Sequence, residues 1–185
     1  MKLPIALLLA CVCSAAQAQH AAHEHGVAEL RVAVEGKALH IEYASPLDTL
    51  VGFEHAPTDE RQHRQLAEAE SMLRNAARLF RLPAAAGCVL KKAELSSPWA
   101  MARQGHGADE ADDHDHDHEH AHAAEGHAEM EAAYAFECAR PQALDTLELL
   151  VFDAFPRTRE VRAERVSDRG QAALSLTPQR RQLPL

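Results

Sequence analysis

The sequence predicts an α+β protein: a single domain, mostly antiparallel sheet, with one amphipathic helix and a long disordered loop rich in His and Asp. Three observations predict it. Apolar residues alternate with polar ones in several segments of strand length. One segment, about 58–81, instead repeats apolar residues at steps of three and four. A further segment, 105–126, contains no branched aliphatic or aromatic residue, so no burial there offsets the entropy of ordering the chain.

The first twenty residues, MKLPIALLLACVCSAAQAQH, are organised like a secretory signal peptide. Lys2 supplies positive charge, an apolar run follows, and Ala16-Gln17-Ala18 has the small-x-small pattern of a cleavage site. We therefore predict a signal peptide over 1–18 and an exported domain over 19–185. No later segment is a transmembrane candidate, so we expect a soluble protein. Lipidation at Cys11 is the alternative fate of the N-terminus.

Residues 27–34 and 38–43 alternate and are predicted to pair as an antiparallel hairpin. Glu35-Gly36 between them has the composition of a two-residue turn. One face of the hairpin is predicted to be buried and the other wet. The side chains assigned to the buried face are Leu30, Val32, Val34, Leu39, Ile41 and Tyr43.

The segment 58–81 is predicted to be a single helix that packs on the sheet. Thr58 or Asp59 can cap its first turn, and acidic residues there suit the positive end of the helix dipole. Pro83 is expected to stop it. The apolar positions of this helix are Leu66, Ala69, Leu73, Ala76, Ala77 and Phe80.

The second half of the chain is predicted to supply the remaining strands. Residues 127–138 alternate, with Met130, Ala132, Tyr134, Phe136 and Cys138 on the inner face. Residues 147–152 are apolar on both faces, so we expect a central strand there. Residues 161–166 and 171–176 are predicted to form a last hairpin, turned at Asp168-Arg169-Gly170.

Two of the four cysteines, Cys88 and Cys138, lie outside the predicted signal peptide. In an exported protein such a pair predicts one disulfide. A cysteine–metal site is the alternative, but the sequence contains no CxxC pair to support it.

If Cys88 faces Cys138 across two antiparallel strands, the register places Leu95 opposite Glu131 and Trp99 opposite His127. The segment 105–126 would then be the long tip of a hairpin with the disulfide at its base. A disulfide between strands that are not neighbours is the alternative.

Segment 105–126 concentrates both histidine and negative charge, including the run DDHDHDHEHAH at 112–122. Neutral imidazole is a nitrogen donor that suits Zn²⁺, Cu²⁺ and Ni²⁺, and interleaved carboxylates add negative potential. A flexible chain must order itself around each ion, so we expect fast, weak and poorly selective binding. The histidines assigned to this role are His106, His114, His116, His118, His120 and His122.

The charge is local, because this segment holds eight acidic residues and no Lys or Arg while the whole chain has a net charge of −9. No basic stripe is present, which argues against nucleic acid as a partner.

Four histidines outside the segment are predicted at the ends of strands or helices, where they could form a more rigid site. They are His23, His25, His55 and His127. Four imidazoles, or three with Glu54 or Glu129, would make a tetrahedral zinc site. His20 is a further candidate, because a histidine at the second position of a chain cut after Ala18 can bind a metal together with the terminal amine. His40 and His63 are interpreted as surface residues.

Several of these stretches resemble the ZrgA-type periplasmic zinc uptake proteins of Gram-negative bacteria. They include EHGVAELRVAVEGKALHIEYASP, VGFEHAP, HAEMEAAYAFEC, LLVFDAFP and GQAALSLT, and together with LFRLPAAAGC they run through nearly all of 19–185. The resemblance implies a periplasmic protein that binds Zn²⁺ and feeds an ABC-type importer, or that importer's binding protein. It also places His23, His25, His55 and His127 in matching motifs.

Two other functions remain open from the sequence. A periplasmic buffering or resistance protein for nickel, cobalt or copper would need similar ligands, although the separated methionines make Cu(I) handling unattractive. A metallohydrolase would need an open metal position and a base, and the chain lacks HExxH, GxSxG and a phosphate loop. We therefore do not expect an enzyme, and assign no catalytic residue.

Overall fold

A six-stranded sheet organises the protein. The computed structural model describes residues 24–99 and 128–185, so the predicted signal peptide and the histidine-rich segment lie outside the described residues. The strands of this main sheet are β1 (Val27–Glu35), β2 (Ala38–Pro46), β4 (Cys88–Ser96), β5 (Glu129–Cys138), β7 (Glu160–Ser167) and β8 (Gly170–Leu176). They lie side by side in the order β4-β5-β2-β1-β7-β8.

A smaller sheet and four helices complete the described fold. The small sheet has the order β3-β6-β9, formed by β3 (Phe80–Arg81), β6 (Thr146–Leu149) and β9 (Gln182–Pro184). The helices are α1 (Leu47–Val51), α2 (Glu60–Arg74), α3 (Ala76–Leu79) and α4 (Val151–Ala154). The predicted class, α+β with a mostly antiparallel sheet, is confirmed. Within the described ranges, no helix is long and apolar enough to cross a membrane.

The predicted first hairpin is confirmed, with its inner face in the core. Leu30 and Leu39 are fully buried, and Val34 packs at the edge of the same cluster. The turn lies one residue later than predicted, at Gly36-Lys37, because Glu35 still pairs with Ala38. Gly36 takes the positive φ of 55° that the first turn position requires.

The segment 58–81 was predicted to be one helix, and this is wrong in its last third. Asp59 caps α2 by accepting from the Gln62 N–H at 2.8 Å, but the helix breaks at Asn75. The chain then makes the short α3 and leaves it as an extended strand at Phe80. Phe80 is buried against Tyr134 with ring centroids 5.4 Å apart, so packing overrides the helical periodicity there.

The segment 147–152 is not a strand of the main sheet. Residues Thr146–Leu149 form β6, which lies in the middle of the small sheet, and α4 follows directly. The last predicted hairpin is confirmed, since β7 and β8 pair through Ser167 and Gly170. Its packing differs from a simple meander, because β7 runs parallel to β1, with Val27 opposite Glu160.

The disulfide between Cys88 and Cys138 is confirmed, and the two residues are direct partners in the antiparallel pair β4–β5. The expected register holds only near the disulfide. An irregularity between Leu90 and Lys92 shifts it by one residue, so Leu95 faces Ala132 rather than Glu131. The expected pairing of Trp99 with His127 lies outside the described residues.

The strands bring several chain segments to one edge of the main sheet. Val27 and Glu160 begin their strands there, and Pro46, opposite Glu129, ends β2. We call this the site edge. The opposite edge carries the disulfide and the turn after Glu35, and we call it the disulfide edge.

Candidate metal-binding site

The imidazole of His25 lies between two carboxylates at the site edge. Its Nδ1 is 3.4 Å from Asp48 Oδ2, and its Nε2 is 3.2 Å from Glu54 Oε1. The His25 side chain is 57% exposed, whereas those of Asp48 and Glu54 are 31% and 25% exposed. The ring is therefore reachable from solvent while both acids are partly shielded.

The backbone of His25-Gly26 is held from two sides. Gly26 N–H donates to the buried Thr49 Oγ1 at 2.8 Å. Gly26 C=O accepts from the N–H groups of Arg159 and Glu160 at 2.8 and 3.1 Å. The Arg159 guanidinium in addition donates to the carbonyl of His25. These bonds fix the base of the His25 side chain, although the side chain itself is exposed.

Gly26 is required at its position for two physical reasons. Its φ is +81°, which is a conformation that side chains of L-residues rarely adopt. A Cβ there would lie 2.4 Å from Arg159 Nε, so any larger residue would displace the guanidinium.

Helix α1 supplies Asp48 and leads to Glu54. Its other residues, Leu47, Thr49, Leu50 and Val51, are buried, so Asp48 alone projects from the helix. Gly52, with φ of +89°, ends the helix, and its N–H donates to Asp48 C=O at 2.8 Å. Leu47 N–H donates to Ala128 C=O at 2.8 Å, which brings the start of the described 128–185 range beside α1.

The predicted ligand His55 is described, and its contacts are local. Its ring stacks on Phe53 with centroids 5.4 Å apart, and its Nδ1 is 2.8 Å from the carbonyl oxygen of Ala56. Glu129 begins β5 opposite Pro46 and is half-buried. The surface assignment of His40 and His63 is confirmed.

The structure thus places part of the predicted set at the site edge. His25 and Glu54 come together, and Glu129 starts a strand at the same edge. Over 24–99 and 128–185, no three His, Cys, Asp or Glu side chains are grouped so that they could hold one ion. The other candidates lie outside the described residues: His20, His23, His106, His114, His116, His118, His120, His122 and His127.

Sequence reasoning missed Asp48. The residue lies 23 positions after His25, and only the return of β2 to the site edge brings the two together. One signal was present in the sequence: Asp48 is the only charged residue in the apolar stretch Leu47–Val51 that follows a strand.

The distance between His25 Nε2 and Glu54 Oε1 fits two ligands of one ion. Zinc bonds of about 2.0–2.1 Å in a tetrahedron place neighbouring ligand atoms about 3.3 Å apart. The 3.2 Å between the two atoms matches one edge of such a tetrahedron. The donor types, a neutral imidazole and a carboxylate, are also those that zinc accepts in proteins.

Imidazole and carboxylate groups, such as those that meet at the site edge, bind divalent cations in many proteins. The chain belongs to the ZrgA family of zinc uptake proteins, because the family model described as "ZrgA family zinc uptake protein" matches residues 22–185. The resemblance noted from the sequence motifs is thereby confirmed. The family is one of zinc uptake. A search of the curated proteins finds no match.

Proposed function

We propose that this protein captures Zn²⁺ in the periplasm, at a site that contains His25 and Glu54, and supplies it to an ABC-type importer. The observation that carries the proposal is the pair of donor atoms, His25 Nε2 and Glu54 Oε1, which lie 3.2 Å apart, with His25 on a turn held by hydrogen bonds to its backbone. Family membership supports zinc as the cargo. The signal-peptide pattern over 1–18 supports export.

The remaining ligands of this site are proposed to come from histidines outside the described residues. His23 is separated from His25 by one residue, and His127 directly precedes Ala128, which is bonded to α1. Two such imidazoles would complete a tetrahedral set with His25 and Glu54. His20, His55 and Glu129 are the other candidates.

The six histidines of 105–126 are proposed to collect ions for this site. β4 ends at Ser96 opposite Glu131, near the start of β5, so both ends of the intervening chain are attached on the site-edge side of the sheet. A tethered collector raises the local concentration of ion at a nearby tight site without any new contact.

The test is competitive zinc titration of the protein lacking residues 1–18, its His25→Ala variant and a His40→Ala control. His40 is exposed on β2, away from the His25–Glu54 pair, and serves as the matched histidine. We expect His25→Ala to weaken the tightest site by at least about 100-fold, because loss of a ligand should cost no less than the roughly 10–100-fold that follows loss of an orienting partner. His40→Ala should leave it unchanged.

Equal zinc affinity of wild type and His25→Ala would place the tight site elsewhere. Deletion of 105–126 should remove weakly bound ions and keep one tight ion, and loss of all binding would place the tight site in that segment. Competition with Ni²⁺, Co²⁺ and Cu²⁺ in the same titration tests the alternative of a buffering or resistance protein for one of these metals. Such a protein would bind its metal more tightly than Zn²⁺ by more than the Irving–Williams order of divalent-metal affinities predicts.

A further inference from the structure

We propose that Asp48 orients the His25 ring by accepting a hydrogen bond from Nδ1, which leaves Nε2 as the nitrogen that binds metal. This rests on the proposed function, because it assigns the ligating atom of the same site. It makes Asp48 a positioning residue and Glu54 the carboxylate that contacts the ion.

The two nitrogens of an imidazole point away from each other, so a single ion cannot contact both. The carboxylates of Asp48 and Glu54 lie on different nitrogens of His25, at 3.4 and 3.2 Å. Only one of them can therefore share an ion with this ring. The other is left to hold the opposite N–H, which is the arrangement in which metal-ligating histidines are usually oriented.

The two contacts differ in their distance from the backbone of the turn. Nδ1 lies beside the ring carbon that carries Cβ, so Asp48 contacts the ring next to the backbone that Arg159 and Thr49 hold. Nε2, which Glu54 contacts, lies at the outer end of the ring. The Asp48 contact is therefore the one nearer the fixed part of the turn.

Helix α1 holds Asp48 in a fixed position beside the His25 ring. Asp48 and Thr49 are consecutive, and they contact the consecutive residues His25 and Gly26, the first through the imidazole and the second through the backbone N–H. The buried neighbours of Asp48 and the bond from Gly52 N–H fix its backbone. The ring of His25 and the backbone next to it thus both contact α1. Glu54, in contrast, lies beyond the helix in the following loop.

The experiment has a metal-free arm and a zinc arm. In the metal-free protein at pH 8, long-range ¹H–¹⁵N correlation spectra report which nitrogen of His25 carries the proton. We expect Nδ1–H in the wild type and a shift to Nε2–H in Asp48→Ala, because the Glu54 carboxylate remains 3.2 Å from Nε2 in the variant. Asp153→Ala is the matched control, because Asp153 is likewise the only charged residue of a short helix and pairs with Arg181 far along the chain.

In the zinc arm, Asp48→Ala should weaken binding about tenfold, which is the low end of the range for lost orienting partners. Glu54→Ala should weaken it more, and Asp153→Ala not at all. Three results would each overturn the assignment. The first is an Nε2–H tautomer in the wild type, and the second is an unchanged zinc affinity in Asp48→Ala. The third is a larger loss of zinc affinity in Asp48→Ala than in Glu54→Ala. If His25→Ala retains the tight site, the proposed function fails instead, whatever the tautomer.

Discussion

The two edges of the main sheet are held together in different ways. At the disulfide edge, a covalent bond joins Cys88 to Cys138 across adjacent strands. At the site edge, hydrogen bonds and ion pairs hold the His25-Gly26 turn against α1 and the chain before β7. The difference suggests a division of roles, in which one edge supplies stability and the other keeps polar groups available for a cation.

The energies expected of the two edges differ accordingly. A disulfide that spans 50 residues stabilises the folded state by about 4 kcal/mol in the chain-entropy model. Each neutral hydrogen bond at the site edge contributes only about 0.5–1.5 kcal/mol net. Changes at the disulfide edge should therefore affect unfolding strongly and zinc affinity weakly, and changes at the site edge should do the reverse.

The largest effect is expected from replacing both cysteines, Cys88→Ser with Cys138→Ser. The free energy of unfolding should fall by about 4 kcal/mol, because the unfolded chain regains the freedom of the closed loop. Urea unfolding followed by circular dichroism measures this. The fraction that remains folded should bind zinc with wild-type affinity, and a weaker tight site there would show that the two edges are coupled.

The next effect concerns Tyr43 in β2, whose side chain is buried behind the site edge. Burial raises the pKa of Tyr43 to about 12, with the Ser45 and Thr158 hydroxyls opposing the rise. A pKa raised on folding means that stability is complete below pH 10 and is lost as the pH rises towards 12. Two pKa units correspond to about 2.7 kcal/mol.

Tyr43→Phe removes this titration, so its unfolding free energy should depend less steeply on pH between 10 and 12. Burial also raises the pKa of Tyr134, so a residual alkaline loss is expected in the variant. Identical pH profiles for wild type and Tyr43→Phe would contradict the prediction.

A pair of glycine substitutions compares the edges directly. Both Gly26 and Gly36 have positive φ, but a Cβ on Gly26 meets Arg159 whereas a Cβ on Gly36 meets nothing within 4 Å. Gly36→Ala, at the disulfide edge, should cost about 1 kcal/mol from backbone strain alone and leave zinc binding unchanged.

Gly26→Ala should cost about 1 kcal/mol more than Gly36→Ala, because the guanidinium must move. It should also weaken the tight zinc site, since the turn that carries His25 shifts. Thermal unfolding and zinc titration of both variants measure this, and equal behaviour of the two would show that the contact of Gly26 with Arg159 is unimportant.

The smallest effect is expected from His55→Ala. The residue is exposed, and its ring contacts Phe53 and Ala56 of its own loop. We expect less than about a twofold change in zinc affinity and within about 0.5 kcal/mol in stability, as for an ordinary surface substitution. A loss as large as that of His25→Ala would instead make His55 a ligand.

Much of the fold could be predicted because its signals are local. Alternation in 27–43 fixed which face of the first hairpin is buried, and two cysteines in an exported chain predicted the disulfide between Cys88 and Cys138. The predictions failed where distant packing competes with local pattern. Phe80 leaves the helical periodicity to pack against Tyr134, and the irregularity after Leu90 shifts the β4–β5 register.

The candidate site was predictable in its chemistry but not in its geometry. Histidine and carboxylate near the ends of predicted elements indicated a metal site, and His25 and Glu54 do lie together. Asp48 could not be found this way, because its relation to His25 depends on the return of β2 and on the direction in which α1 projects one side chain.

The sequence by itself determined the class of fold and the disulfide, and it predicted a divalent metal as the ligand, because composition and short-range periodicity carry that information. Only the tertiary structure decided that the ring of His25 lies between Asp48 and Glu54 and that Arg159 and Thr49 hold its backbone. The reason is physical: a coordination site is defined by distances of about 3 Å between atoms far apart in the chain, and strand pairing sets those distances.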